Sequence, residues 1–382
     1  MEKPFISRVV INNYKSIAHC DVRLGALQFL VGRNGSGKSN FLSALLFVRE
    51  AMEFNYIGYE IGSRGGNFYH FRKMESNLGM EIEFNLPNGA NGIFAFNLVK
   101  GESGYIVTEE SCRIEQGGEF EEYKTQNGKL LSDDPQRFPP VASDRFYLQN
   151  MSAYDAFRPL YDALRKMEIY NFVPQRIPMF DRTDSNGNFS LMFDGSNIAH
   201  VMLKLTDGAK NRILEYLQLI VPDICGFDLH AHGIEGAYLG FQHKAGDFNR
   251  DNMSDGTLHA LCVLIALLQE RKNGKNSHPM LIGIEEPETG LHASAAGVLL
   301  GAMIEAVDMR QVIVATHSAE MLDDKEIGIE QILPVEMRDA KTIIAPLENV
   351  TKDMLREHLT TVGRLLRQDH LQPELSLSAS DK

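Results

Sequence analysis

The sequence predicts an α/β fold, a parallel sheet with an antiparallel β lobe and a helical lobe attached, on three observations. A nearly all-apolar stretch, residues 26–31, runs into a cluster of glycines and then into helically spaced apolar residues. Between residues 62 and 150, short alternating runs are separated by glycine and asparagine turns, the pattern of antiparallel sheet with one wet face. From Met253 onward helix-like and strand-like segments alternate, as in a parallel sheet with covering helices.

The elements follow in order. Residues 6–11 are a β-branched strand, 12–16 a turn and 26–31 a second strand. A helix spans 40–52, its apolar stripe formed by Phe41, Leu42, Leu45, Leu46 and Val48. Residues 80–84 and 92–96 alternate as strands. Two helices are expected over 151–170 and 196–219, with a loop rich in Asn, Asp and Gly between them, then a hairpin pairing 227–232 with 237–243. The last core elements are a helix at 258–270, a strand at 280–284, a helix at 293–307 and a strand at 311–314. There is no internal repeat and no long heptad, and the tail after Gln372 reads as loose.

Composition narrows the function. Lys and Arg number 38 against 51 Asp and Glu, a formal charge of −13. Such a chain repels nucleic acid overall, so DNA contact would need a local basic patch. The candidates, Arg158, Arg165, Lys166, Lys204, Lys210 and Arg212, read as ordinary solvated helix faces. Cys20, Cys112, Cys225 and Cys262 are scattered and read as buried thiols of a reducing compartment. The start lacks a signal-peptide core, and the longest apolar run, about 11 residues, is short of the ~20 needed to span a bilayer. The expectation is a cytoplasmic protein without a membrane partner.

Four segments carry chemistry. Residues 32–39, Gly-Arg-Asn-Gly-Ser-Gly-Lys-Ser, fit the phosphate-loop pattern G-x-x-x-x-G-K-[ST] between a strand and a helix. Backbone N–H groups of Asn34, Gly35, Ser36, Gly37 and Asn40 can turn toward an anion, Lys38 can reach β/γ oxygens, and the Ser39 hydroxyl can reach Mg²⁺. The strand 280–284 ends in Glu285 and Glu286, one placed to hold Mg²⁺ and the other to activate water. The strand 311–314 runs on into Thr316, His317 and Ser318, where a histidine can meet a γ-phosphate or the attacking water. Ser254 caps the helix after Met253, and with Gly256 it offers donors and a helix dipole to a nucleotide held by another copy.

These four segments resemble the AAA15/AAA21-like ABC-type ATPases of the SMC/RecF/overcoming-lysogenization class. In that resemblance residues 32–39 are Walker A, 254–257 the signature, 281–286 Walker B, 288–292 the D-loop and 316–318 the H-loop. Residues 13–17 and 361–366 match the family's start and ending. Two departures stand out: Asp-Gly-Thr where transporter heads carry two glycines in the signature, and Glu285 where they usually have Asp. The Q-loop candidates are His70, Arg72 and Gln149.

The resemblance implies an ABC-type P-loop NTPase head over 1–345, made of a Walker A core (1–52), a β region (62–150), a helical lobe with the insertion (151–222) and a second core segment (223–345), plus an extension over 346–382. It implies an ATPase using ATP and Mg²⁺, a homodimer or higher homo-oligomer with composite sites, Lys38, Glu286 and His317 as catalytic groups, and Ser39 and Glu285 at the metal. Related nucleases append a Toprim domain of well over a hundred residues, for which residues 319–382 leave no room. The reading that follows is a sensor or scaffold of anti-phage defence with a separately encoded effector; a RecF-like DNA-clamping repair ATPase is the alternative. A transporter subunit is disfavoured by the atypical signature.

Overall fold

A computed structural model describes residues 3–54, 77–101, 105–131, 141–181, 190–232, 236–270 and 278–374. The chain opens with an antiparallel hairpin, β1 (Ile6–Tyr14) and β2 (Ile17–Arg23), whose turn holds Asn13 and Lys15 at positive φ. The sequence reading has no counterpart to β2, because its inward Ile17, Cys20 and Val22 are interrupted by Ala18 and His19. β3 (Leu27–Val31) is buried at every residue, and α1 (Lys38–Glu53) begins at the lysine of the glycine loop.

An antiparallel meander follows: β4 (Asn77–Asn85), β5 (Asn91–Lys100), β6 (Tyr105–Gln116), β7 (Glu119–Gln126) and β8 (Lys129–Leu130). Its alternation puts Phe94 and Phe96 against Phe146 and Phe47, with ring centroids 4.6 to 6.4 Å apart.

Two expected helices are corrected. Residues 151–170 are not one helix but α2 (Leu148–Met151), α3 (Arg158–Arg165, with Pro at its start) and a strand, β9 (Glu168–Tyr170). Three residues are too few to show a period of two; parallel pairing with the later strand at Ile282–Ile284 decides their state. Residues 196–219 split, after the two-residue β10 (Phe180–Asp181), into α4 (Ile198–Lys204) and α5 (Asp207–Ile220). Thr206 breaks them by capping α5, its Oγ1 accepting from the Ala209 N–H at 3.1 Å.

The expected hairpin is present as β11 (Ile224–His232) and β12 (Gly236–His243), with β13 (Phe248–Asn249) beside it. In β11 the alternation points Ile224 inward and Cys225 outward, so Cys225 is exposed while Cys20, Cys112 and Cys262 are buried; all four are free thiols.

The core then alternates: α6 (Asp255–Leu268), β14 (Leu281–Glu285), α7 (Ala293–Val307), β15 (Gln311–Thr316), α8 (Ala319–Leu322), β16 (Ile332–Arg338), β17 (Lys341–Ile344), α9 (Asn349–Arg356) and α10 (Val362–Arg367). One 13-stranded sheet joins both lobes in the order β8-β7-β6-β5-β4-β1-β2-β17-β16-β3-β15-β14-β9. Around β3 the strands are parallel, and their register aligns Val31 with Thr316 and Ala315 with Glu285. Three strand ends that carry chemistry therefore meet at one edge.

The two faces of β3 serve two cores. Leu30 packs with Phe41, Leu42 and Leu45 of α1, whereas Phe29 and Val31 pack with α6 and α7. α6 is buried on every side from Gly256 to Leu267, as a helix apolar all round must be. Residues of the stretch read as an extension, Leu347, Leu355, Val362 and Leu365, belong to the second of these cores.

Candidate active site at the ends of the parallel strands

The glycine loop leaves β3 at Gly32 and enters α1 at Lys38, with Gly35 and Gly37 at φ of 79° and 105°. Gly37 needs that freedom twice over: it is left-handed, and a Cβ there would overlap the side chain of Thr342. Thr342 Oγ1 in turn donates to the Ser36 carbonyl at 3.0 Å and pairs with Ser16 Oγ at 2.6 Å. Asn40 Nδ2 donates to the same Ser16 oxygen at 2.6 Å. The Asn40 side chain is thus turned behind the loop, and its backbone N–H donates to the Gly37 carbonyl.

Lys38 is 5% exposed, and its ammonium donates to the carbonyls of Gly32 (2.7 Å) and Arg33 (3.0 Å). Burial pulls its pKa below the ordinary lysine range, and Glu286, Glu288 and Glu285 oppose that shift. Ser39 Oγ donates to Glu285 Oε2 at 2.6 Å, a contact between residues 246 apart in the chain. Burial raises the Glu285 carboxyl; the Ser39 bond and the charges of Lys15 and Lys38 oppose the rise. Lys15, whose Nζ donates to Ser43 Oγ at 2.7 Å, is a second cation beside this carboxylate that the sequence reading did not assign.

Glu286 sits at φ 45°, a conformation that costs a non-glycine residue about 1–3 kcal/mol and persists only where its surroundings hold it. Its N–H donates to the Ala315 carbonyl at 2.8 Å. Its carboxylate lies 3.4 Å from His317 Nδ1, and Glu288 lies 3.7 Å from the same nitrogen. Glu288 also accepts from Thr316 Oγ1 (2.6 Å) and from the His317 N–H (3.2 Å). It fixes the turn that presents the imidazole, a role the sequence reading missed.

Lys38, Ser39, Glu285, Glu286 and His317 are therefore brought together. Ser254 and Gly256 are placed differently. Ser254 is exposed and caps α6, accepting from the Thr257 N–H at 3.1 Å, and among the described residues none of its hydrogen bonds reaches the glycine loop. Gly256 is buried, and a Cβ on it would overlap the Gly290 carbonyl. Gln149 donates to the carbonyls of Ala51 and Phe54 at the end of α1, away from the strand ends. His70 and Arg72 lie outside the described residues. The chain's later part touches the loop through Arg33, 2.8 Å from Asp369, an exposed pair worth little by itself.

The donor set suits a hard divalent cation shared with a substrate. Ser39 and Glu285 supply two oxygens, and among the described residues no group of three or more His, Cys, Asp or Glu could hold a metal by protein ligands alone. No helix among them is long and apolar enough to cross a membrane.

Comparison with known proteins bears on this geometry. A family model described as "AAA domain, putative AbiEii toxin, Type IV TA system" matches residues 27–323. The DNA replication and repair protein RecF of Vibrio cholerae serotype O1 is 36% identical over 90 residues, 22% of this chain and 24% of RecF, in each of two strains. The match thus spans about a quarter of that relative's length. Among solved structures, an SmcHead bound to the C-winged helix domain of ScpA superposes with a TM-score of 0.55 at 15% identity, covering 91% of this chain and 99% of that one. At that identity the likeness is one of fold.

Proposed function

The chain belongs to the AAA-domain family matched over residues 27–323 and is an ABC-type ATPase of the SMC/RecF class; we propose that it hydrolyses ATP with Mg²⁺ at sites shared between paired copies. The observation that carries the reading is the 2.6 Å bond between Ser39 and Glu285. It sets the first hydroxyl of a phosphate-loop helix against the carboxylate at the end of a parallel strand, where such chemistry is done.

In this reading the loop amides of Asn34, Gly35 and Gly37 and the buried Lys38 cradle the β- and γ-phosphates, the Ser36 and Asn40 N–H groups being turned to the Arg33 and Gly37 carbonyls. Ser39 and Glu285 hold Mg²⁺, which when bound offsets the charge on the phosphate oxygens. The cation is needed on electrostatic grounds. Lys38 faces Glu286, Glu288 and Glu285, and Lys15 faces Glu285 and Glu50, so these side chains carry more negative than positive charge toward a polyanion. Glu286 accepts the proton of the attacking water, and His317, held between Glu286 and Glu288, contacts the γ-phosphate. The exposed cap at Ser254, with Gly256, completes the site of a second copy; ATP then favours the pair by contacts made only when it closes. The proposed unit is a head over 1–345 with an extension over 346–382, working in the cytoplasm.

The test is turnover per chain across a protein dilution series. Composite sites predict a rate that falls as the pairs dissociate, and a rate independent of concentration in a monomeric sample would remove them. Lys38→Ala should abolish nucleotide binding, and Glu286→Gln should retain binding while slowing hydrolysis about a hundredfold or more.

For the biological role, we place the ATPase as sensor or scaffold of a prokaryotic anti-phage defence system acting with a separate effector such as a nuclease. The matched family's description, with its AbiEii toxin, supports that placement. The 36% identity to RecF favours a second reading, a repair ATPase that clamps DNA. Against it stand the charge of −13 and the pairing of Arg158, Lys210 and Arg212 with Asp162, Asp207 and Glu305. Steeply salt-dependent DNA binding by the chain alone would decide for repair; copurification with a neighbouring gene's product would decide for defence.

A further inference from the structure

We infer that His259 is a positioning residue for Glu286, linking the exposed cap of α6 to the carboxylate that takes the water's proton; the inference rests on that reading of Glu286. His259 lies five residues after Ser254 in a helix whose buried positions beyond Thr257 are otherwise Leu, Ala, Val, Ile and Cys, and it is 3% exposed. Its Nε2 donates to the Glu286 carbonyl at 3.1 Å, while the buried Nδ1 has no hydrogen-bond partner among the described residues. Burial lowers its pKa, so the ring is neutral, and the bond to a carbonyl requires the tautomer protonated at Nε2. The edge-on ring of Phe172, 6.1 Å away, packs against the imidazole.

A buried imidazole with one orphaned nitrogen is costlier than the leucine that would fill the same space. What it gains here is a hold on a residue in a strained conformation. The left-handed Glu286 is tied by its N–H to β15 and by its carbonyl to two donors, the Thr289 N–H at 3.1 Å and His259. Thr289 moves with the turn it closes, whereas His259 belongs to α6. The same helix lies against the far end of that turn, where a Cβ added to Gly256 would overlap the Gly290 carbonyl. One rigid helix thus grips the turn 286–290 at both ends, with Ser254 at its own tip. A displacement of that tip on docking of a second copy carries the Glu286 carboxylate with it.

The experiment compares His259→Leu and His259→Gln with wild type and with Glu286→Gln, reading ATP affinity, multiple-turnover kcat and the single-turnover rate on full-length protein. Expected are unchanged ATP affinity, a kcat reduced at least about tenfold in His259→Leu, and recovery to within about threefold in His259→Gln, whose amide can donate to the same carbonyl. In the Glu286→Gln background His259→Leu should add no further loss, because both act through one group. Wild-type kcat in His259→Leu, or losses that multiply in the double variant, would overturn the inference while leaving the general base in place. Full turnover in Glu286→Gln would instead sink the base itself. Should His259→Leu fail to fold, His259→Asn, too short to reach the carbonyl, replaces it against His259→Gln.

Discussion

Gly256→Ala is the substitution whose consequence the geometry fixes most tightly. The added Cβ would stand 3.0 Å from the carbonyl carbon of Gly290, 3.5 Å from Leu291 Cδ2, and closer still to the Gly290 oxygen. The obstructing atoms are backbone, so no rotamer change relieves them. Either α6 or the turn must retreat by roughly 1 Å, and overpacking of this kind costs about 1–3 kcal/mol. At about 2–4 °C of Tm per kcal/mol for a domain of this order, melting should fall by several degrees. The larger effect should be on catalysis. A turn displaced by ~1 Å carries Glu286 away from His317 and stretches the 3.1 Å bond to His259, and misplacement on that scale can cost about a hundredfold in rate. Differential scanning fluorimetry and steady-state phosphate release on the same preparation separate the two effects. Nucleotide binding to the glycine loop should survive, because Lys38 and its loop lie on another element. A variant with unchanged melting and unchanged turnover would refute the backbone contact and the coupling built on it.

Two other perturbations probe the support of the loop and of the β lobe. Thr342→Val keeps the shape but removes one partner of Ser16, which keeps Asn40, and the donor to the Ser36 carbonyl, whose loss costs about 1–3 kcal/mol; ATP affinity by calorimetry should fall about tenfold or more, and an unchanged affinity would show that the relay does not shape the loop. Glu110, buried under Tyr123 and accepting from the N–H groups of Tyr147 and Leu148, is pushed by burial up to about 7 from an ordinary value near 4.5. A carboxyl raised on folding contributes stability that is complete below about 4.5 and lost as pH climbs through 7, here about 3 kcal/mol. Urea midpoints between pH 5 and 8 should fall in wild type and stay flatter in Glu110→Gln; equal slopes would count against it.

What could be read from the sequence was whatever lay contiguous in it. β3, β14 and β15 announce themselves because each is a largely apolar run that leads into one of the polar segments singled out above. The contacts that tune the site are not contiguous. Ser16 meets Thr342 across 326 residues, through the single point where β17 pairs with β2, and a lone Thr in a four-residue strand carries no pattern. His259 sits unremarked in the apolar helix at 258–270, since nothing in the sequence shows that its ring reaches a carbonyl 27 residues on. The break at Thr206 carried a legible cap signal, Thr followed by Asp-Gly, but the apolar period on either side outweighed it. β9 had no signal at all, because tertiary pairing alone makes those three residues a strand.

The same long-range contacts explain why the site belongs to the whole sheet. The back of the glycine loop rests on Thr342 and Ser16, at the junction with the antiparallel lobe, while its front faces carboxylates from β14. Glu285 ends a strand, but Glu286 one residue later has turned into a left-handed conformation, so the two carboxylates leave the strand in different directions, one to Ser39 and the other to His317. That single backbone reversal separates the carboxylate proposed to hold the metal from the one proposed to accept the proton within two consecutive residues. It is also a strained conformation, held by its ties to β15 on one side and to α6 on the other. A docking event that moves α6 therefore acts first on the proton acceptor and leaves the Ser39–Glu285 pair, anchored in α1 and β14, where it was. In the proposed pair, control through α6 should accordingly appear in kcat in addition to the gain in nucleotide affinity that pairing brings by linkage.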